Sequence, residues 1–167
     1  MIIIGIDPGA TNVGVSVRDG NEVLVSSTYV RPEDMPPVTW AIYVSKRAHD
    51  EIISKYPDAL IGIEGVTVPN AYNMGKKNLM SPKYIIWTGI VVGAFASLYP
   101  QAVIVRPGKN GSQELSSYPD CLKGRRPKDL AGTTEAGTRN HEKSAFDVAG
   151  EVPSYLNNGY NLDDIKE

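Results

Sequence analysis

One cysteine and two histidines stand among the 167 residues of this chain, and that scarcity narrows its chemistry. A lone Cys121 can form no internal disulfide, and no nearby base or second thiol marks it as a nucleophile. A reduced setting is expected. There is no Cys/His cluster to favour zinc, no apolar run of membrane-spanning length and no low-complexity tract. The opening "MIIIGID" leads directly into strand-like sequence without a basic segment or cleavage site, so no export signal is visible. What remains is a soluble globular chain, expected in the cytoplasm, long enough to enclose one core without staples.

Net charge is low, at −2, which would disfavour a polyanionic partner if it were spread evenly. It is not. Between Gly65 and Arg139 ten Lys/Arg face four Asp/Glu, a balance of +6 that leaves −8 for the rest. Lys76, Lys77 and Lys83 form one group, and "KGRRPK" concentrates Lys123, Arg125, Arg126 and Lys128 in another. Nucleic acid responds to local fields of this kind, although either group alone also suits a solvated loop.

Periodicity outlines the fold. Met1–Asp7 is an apolar strand, Asn12–Arg18 alternates Val13, Val15 and Val17 with small or polar residues, and Glu22–Tyr29 is a third strand. The Asp19-Gly20 pair turns the second into the third, giving an antiparallel meander. A helix is expected from Val38 to Tyr56, then the strand "ALIGIEG", a helix over Pro82–Leu98 and the strand "AVIVRP". A helical crossover places the fourth strand parallel to one already in the sheet. Residues 108–140 lack periodicity, as functional or disordered loops do. "NHEKSAFDVAGEV" is a closing helix with Asn140 as its N-cap and Pro153 ending or bending it. The expected organisation is one α/β domain over residues 1–156, a five-stranded mixed sheet flanked by helices, and a loose acidic tail from 157.

Asp7 and Glu64 each end an apolar strand. On parallel neighbours both carboxylates leave the same sheet edge, where two unpaired acids repel and are costly to desolvate. A hard divalent cation resolves that conflict, and oxygen donors favour Mg²⁺ or Mn²⁺. Acids simply facing solvent are the alternative.

"IGIDPGATNVGVSV" resembles the first motif of the RuvC-type Holliday junction resolvases, "IGIEGV" stands where their second acidic strand falls, and "HEKSAFDVAG" is similar to their closing helix. The three blocks keep the family's order over nearly the whole chain to about Val152. Length and the "VRPGKNGS" loop look most like the bacteriophage members. The resemblance implies a ribonuclease H-like fold and a Mg²⁺-dependent endonuclease, with Mn²⁺ as substitute, that cuts four-way DNA junctions by paired nicks as a homodimer. It implies that Asp7, Glu64 and Asp147 are catalytic metal ligands, with two cations about 3.5–4 Å apart activating water and stabilising the leaving oxygen.

Two departures qualify the match. Three residues before Asp147 many members carry an acid or a histidine; here Ser144 stands, and His141 or Glu142 could substitute, His141 being the catalytic candidate. Periodicity also puts Asp147 on a polar stripe with Asn140, Ser144 and Glu151, away from the apolar face of Ala145, Val148, Ala149 and Val152. An aromatic wedge often follows the second acid in the family, and Tyr72 is the nearest candidate. Arg106, Lys109, Arg125, Arg126 and Lys123, with Lys76 and Lys77, are the expected DNA contacts. The helix over Pro82–Leu98 carries more apolar surface than one sheet face needs, which makes it the candidate dimer contact, with a wholly buried core helix as the alternative. Two other classes stay open: an RNA-processing nuclease of the same fold, and a phosphate-binding ATPase or sugar kinase suggested by "DPGATNVG".

Overall fold

The computed structural model describes residues 1–66, 81–108, 110–124 and 139–158. Its strands are β1 (Ile2–Asp7), β2 (Asn12–Asp19), β3 (Glu22–Val30), β4 (Leu60–Glu64) and β5 (Val103–Val105), and its helices α1 (Pro37–Glu51), α2 (Pro82–Leu98) and α3 (Asn140–Asn157). They form one five-stranded mixed sheet in the order β3-β2-β1-β4-β5. The β1–β2 and β2–β3 pairs are antiparallel, whereas β1–β4 and β4–β5 are parallel. The expected meander and crossover are both present.

β1 is apolar along its length because both of its faces are covered. Ile4 and Ile6 join Val13, Val15 and Val17 of β2 and Ile61 and Ile63 of β4 in the main core, roofed by Trp40, Ala41, Val44 and Ala48 of α1 and Val91 and Phe95 of α2. By strand alternation Ile3, Gly5 and Asp7 point to the other face, which α3 covers with Val148, Ala149 and Val152. The same alternation turns Gly14 of β2 and Glu64 of β4 toward α3.

Two glycines set how near α3 lies. A side-chain carbon at Gly5 would strike the Ala145 carbonyl oxygen, and one at Gly14 would strike that of His141. The helix therefore rests almost on the sheet backbone.

Three boundaries depart from expectation. α1 stops at Glu51, and a 3₁₀ turn over Ile53–Lys55 replaces the last turn expected up to Tyr56, so that Ile52 and Ile53 reach the core. Asn140 is the first residue of α3, and Arg139 precedes it as a cap whose side chain makes no capping bond to the helix backbone. Pro153 lies inside α3, which runs on to Asn157. Its last turn is held from outside the helix, because Tyr155 packs beside Val152 and its hydroxyl accepts the Arg106 N–H at 2.9 Å. That contact offsets the backbone bond that proline removes. Of the expected loose tail, residues 159–167 lie outside the described residues. No helix among the described residues is long and apolar enough to cross a membrane.

Candidate active site

The parallel register pairs Ile6 with Ile63, so the next step along both strands sets Asp7 beside Glu64. Both carboxylates line a cleft of about 520 Å³ whose other walls are the Pro8–Asn12 turn, Tyr84, Ile85 and Thr88 of α2, Pro107 and His141. The turn is tied down from behind: buried Trp40 donates its indole N–H to the Gly9 carbonyl at 3.3 Å.

Each acid has protein donors on it. His141 Nδ1 donates to Asp7 Oδ2 at 2.8 Å, and Asp7 is 13% exposed. Glu64 Oε1 accepts the Asn110 side-chain amide at 2.7 Å, and Oε2 accepts the Ser144 hydroxyl at 3.3 Å. Burial first, and then the Asp7 charge, push the Glu64 carboxyl up to about 7. The hydrogen bond to Asp7, outweighing burial, raises the His141 imidazole. A carboxyl whose proton is held by burial and by an adjacent carboxylate, with no lysine or arginine bonded to either acid among the described residues, suits a cation better than it suits solvent.

The donor set fits Mg²⁺ or Mn²⁺ through Asp7 and Glu64. Among the described residues no group of three His, Cys, Asp or Glu is arranged to hold a metal ion. Magnesium is commonly held by one or two carboxylates, with water and substrate phosphate filling the other positions, so a pair is sufficient.

α3 presents its polar residues in three directions. His141 and Ser144, one turn apart, reach Asp7 and Glu64. Glu142 is fully buried against β3, accepting from Ser26 at 2.9 Å, Thr28 at 3.1 Å and Arg139 at 2.9 Å, and so is no substitute for an acid in the cleft. Asp147 accepts from the Tyr118 hydroxyl at 2.6 Å and the Gly111 N–H at 2.7 Å. Asn110 and Tyr118 are site residues that periodicity could not find, since they lie in the irregular 108–140 segment. Asn110 falls within the "VRPGKNGS" loop, the one signal that pointed there.

Of the expected DNA contacts, Arg106 is exposed at the end of β5. Lys123 pairs with Asp120 at 2.7 Å, an exposed pair weak enough for a phosphate to displace. Tyr72, Lys76, Lys77, Lys109, Arg125 and Arg126 lie outside the described residues. On α2, Val91 and Phe95 are buried, Ile85, Trp87 and Ile90 are half-buried, and Ile86 is 63% exposed.

No family model matches the chain, and no curated protein matches it. Solved structures do. Thermus thermophilus RuvC in complex with a Holliday junction substrate is similar at a TM-score of 0.61 and 16% identity, over 95% of this chain and 96% of that one. A second Thermus thermophilus RuvC structure gives 0.56 and 17%, over 95% and 97%. The five-stranded mixed sheet with its flanking helices is thus the ribonuclease H-like α/β fold of RuvC.

Proposed function

We propose that the chain is a divalent-cation-dependent endonuclease that resolves four-way or related branched DNA by paired nicks, working as a homodimer. The observation that carries this reading is the pair Asp7 and Glu64, set side by side by parallel strands at one wall of a cleft, with His141 bonded to Asp7. The fold it shares with RuvC, one of whose structures holds a Holliday junction substrate, supports the choice of substrate. The "VRPGKNGS" loop is the feature that favours a bacteriophage-type enzyme, and the bacterial cytoplasm is the setting proposed for it.

When bound, the cation would lower the pKa of a water and draw charge from the phosphodiester. Asp7 and Glu64 would hold it. His141, fixed through Nδ1 by Asp7, keeps its other ring nitrogen for a phosphate oxygen or a water in the cleft. Asn110 and Ser144 hold both oxygens of Glu64, which limits how far that carboxylate can swing. Arg106 and Lys123, with Lys76, Lys77, Lys109, Arg125 and Arg126, would bind backbone phosphates and set orientation without reading sequence. Tyr72 is proposed to stack on a junction base.

The test is a nicking assay in Mg²⁺ on matched four-way, forked, duplex and RNA substrates. Cleavage of the four-way junction should be fastest, arrive as paired nicks and vanish in chelator. Preferential cleavage of RNA would instead select the RNA-processing class.

Assembly gives a second expected result. A four-way junction is two-fold symmetric, and two nicks at fixed separation need two sites held by a closed, isologous interface. α2 exposes Ile86, and α1 exposes Val38, Ile42 and Tyr43. Ile86→Glu should convert the dimer to a monomer in light scattering and uncouple the two nicks, leaving single nicks. A wild-type protein that is monomeric with and without junction DNA would count against the resolvase reading.

A further inference from the structure

We infer that Asp147 is a positioning residue that pins the 110–118 loop against α3, so that the Asn110 amide holds Glu64 in place beside Asp7. One carboxylate oxygen, Oδ2, takes both loop donors: the Gly111 N–H at 2.7 Å and the Tyr118 hydroxyl at 2.6 Å. They bracket the loop at its two ends. Gly111 follows Asn110 directly, so the residue that grips Glu64 at 2.7 Å is the neighbour of the residue that Asp147 grips.

The far end of the loop is anchored by packing. Tyr118 is buried with Leu122 and Phe146, its ring 6.3 Å from that of Phe146 in an edge-on arrangement. Its hydroxyl accepts the Gln113 N–H at 3.2 Å while donating to Asp147, so a single phenol closes the loop on itself and on the helix. The near end has little room. Gly111 has φ +74°, and a side-chain carbon there would lie 3.0 Å from the Asn140 carbonyl oxygen and 3.2 Å from the Ser144 nitrogen. The loop is thus seated on the first turn of α3, the turn that carries His141 and leads to Ser144. Loosening the pin should free Asn110 and take from Glu64 the shorter of its two donors among the described residues, leaving the 3.3 Å bond from Ser144.

This inference rests on the nuclease reading for its kinetic arm only. Residues that orient a ligand, without being one, typically cost about 10- to 100-fold when removed. Tyr118→Phe, which keeps the packing, and Asn110→Ala should each lower kcat by about that factor while the junction Kd changes less than about twofold. The double variant should be no worse than Asn110→Ala, since both act on Glu64 by one route. Asp147→Ala should match Asn110→Ala, and Asp147→Asn, which keeps an acceptor oxygen, should recover most of the loss. The metal-free arm is amide hydrogen exchange by NMR: the Asn110 side-chain amide should exchange slowly in the wild type and rapidly in Tyr118→Phe and Asp147→Ala. Loss in Asp147→Asn as deep as in Asp7→Asn would make Asp147 a ligand and overturn the inference. So would slow Asn110 exchange in Tyr118→Phe, a variant expected to fold even if Asp147→Ala does not. A wild type that cuts no DNA would defeat the nuclease reading, and the exchange measurement would then decide the pin by itself.

Discussion

Replacing Asp7 with asparagine, or Glu64 with glutamine, should lower junction cleavage by more than about 100-fold while junction affinity stays within about threefold. Each change keeps the shape and removes the charge that would hold the cation. The basic surface is untouched. A steady-state cleavage assay and a binding titration in Ca²⁺ check the two halves separately, and an amide variant with full activity would defeat the metal mechanism. Glu64→Gln carries a second expected result of opposite sign. Burial and Asp7 push the Glu64 carboxyl from 4.5 to about 7, so the folded state holds this proton more tightly than the unfolded chain does. Its contribution is present below about pH 4.5 and is lost as pH rises through about 7. Glutamine cannot ionise and avoids that loss. In chelator at about pH 8 the variant should therefore be the more stable protein by on the order of 2–3 kcal/mol, several degrees in Tm, and near pH 4.5 the two should melt together. Added Mg²⁺ should close the gap at high pH by stabilising only the wild type.

Gly5→Val should destabilise the chain by more than about 3 kcal/mol, beyond the 1–3 kcal/mol usual for an overpacked core. The new side chain would be driven into backbone, the Ala145 carbonyl oxygen and the Ala149 nitrogen at 2.7 Å, and backbone cannot rotate away as a flexible side chain can. α3 would have to lift from β1. That movement would withdraw His141 from Asp7 and Ser144 from Glu64, so any folded fraction should also be inactive. Urea denaturation gives the stability, and cleavage normalised to folded protein gives the activity. A Gly5→Val protein with the wild-type midpoint would mean that α3 does not lie against the sheet at this point.

Much of the fold was legible because strands and crossovers are local patterns. Ile4 and Ile6, with Val13, Val15 and Val17, announce one buried face, Asp19-Gly20 announces the hairpin, and the helix after β3 requires β4 to run parallel. Asp7 and Glu64 were legible for the same reason: an acid at the end of an apolar strand goes wherever that strand ends. The resemblance to RuvC-type resolvases pointed to the same two residues by a separate route, through "IGIDPG" and "IGIEGV". The continuation of α3 through Pro153 was not legible, because it depends on Tyr155 meeting the Arg106 backbone, 49 residues away in sequence.

The closing helix shows where local pattern runs out. His141, Glu142, Ser144 and Asp147 all read as polar, and each helical step turns the side chain by about 100°, so which one meets the strand-end acids depends on the helix's rotation about its own axis. The apolar stripe of Ala145, Val148, Ala149 and Val152 turns one face to the sheet, but that stripe alone does not fix the rotation finely enough to choose among the polar residues beside it. The rotation is set by Gly5 and Gly14, which let α3 settle onto the sheet, and by Ser26 and Thr28 of β3, which take Glu142 into the interior. His141 and Ser144 then fall on the cleft side and Asp147 falls against Tyr118 and Gly111. The positions of Asp7 and Glu64 follow from chain order and strand polarity. The partners of those two acids follow from three-dimensional packing, because a helix face is chosen by what it lies on.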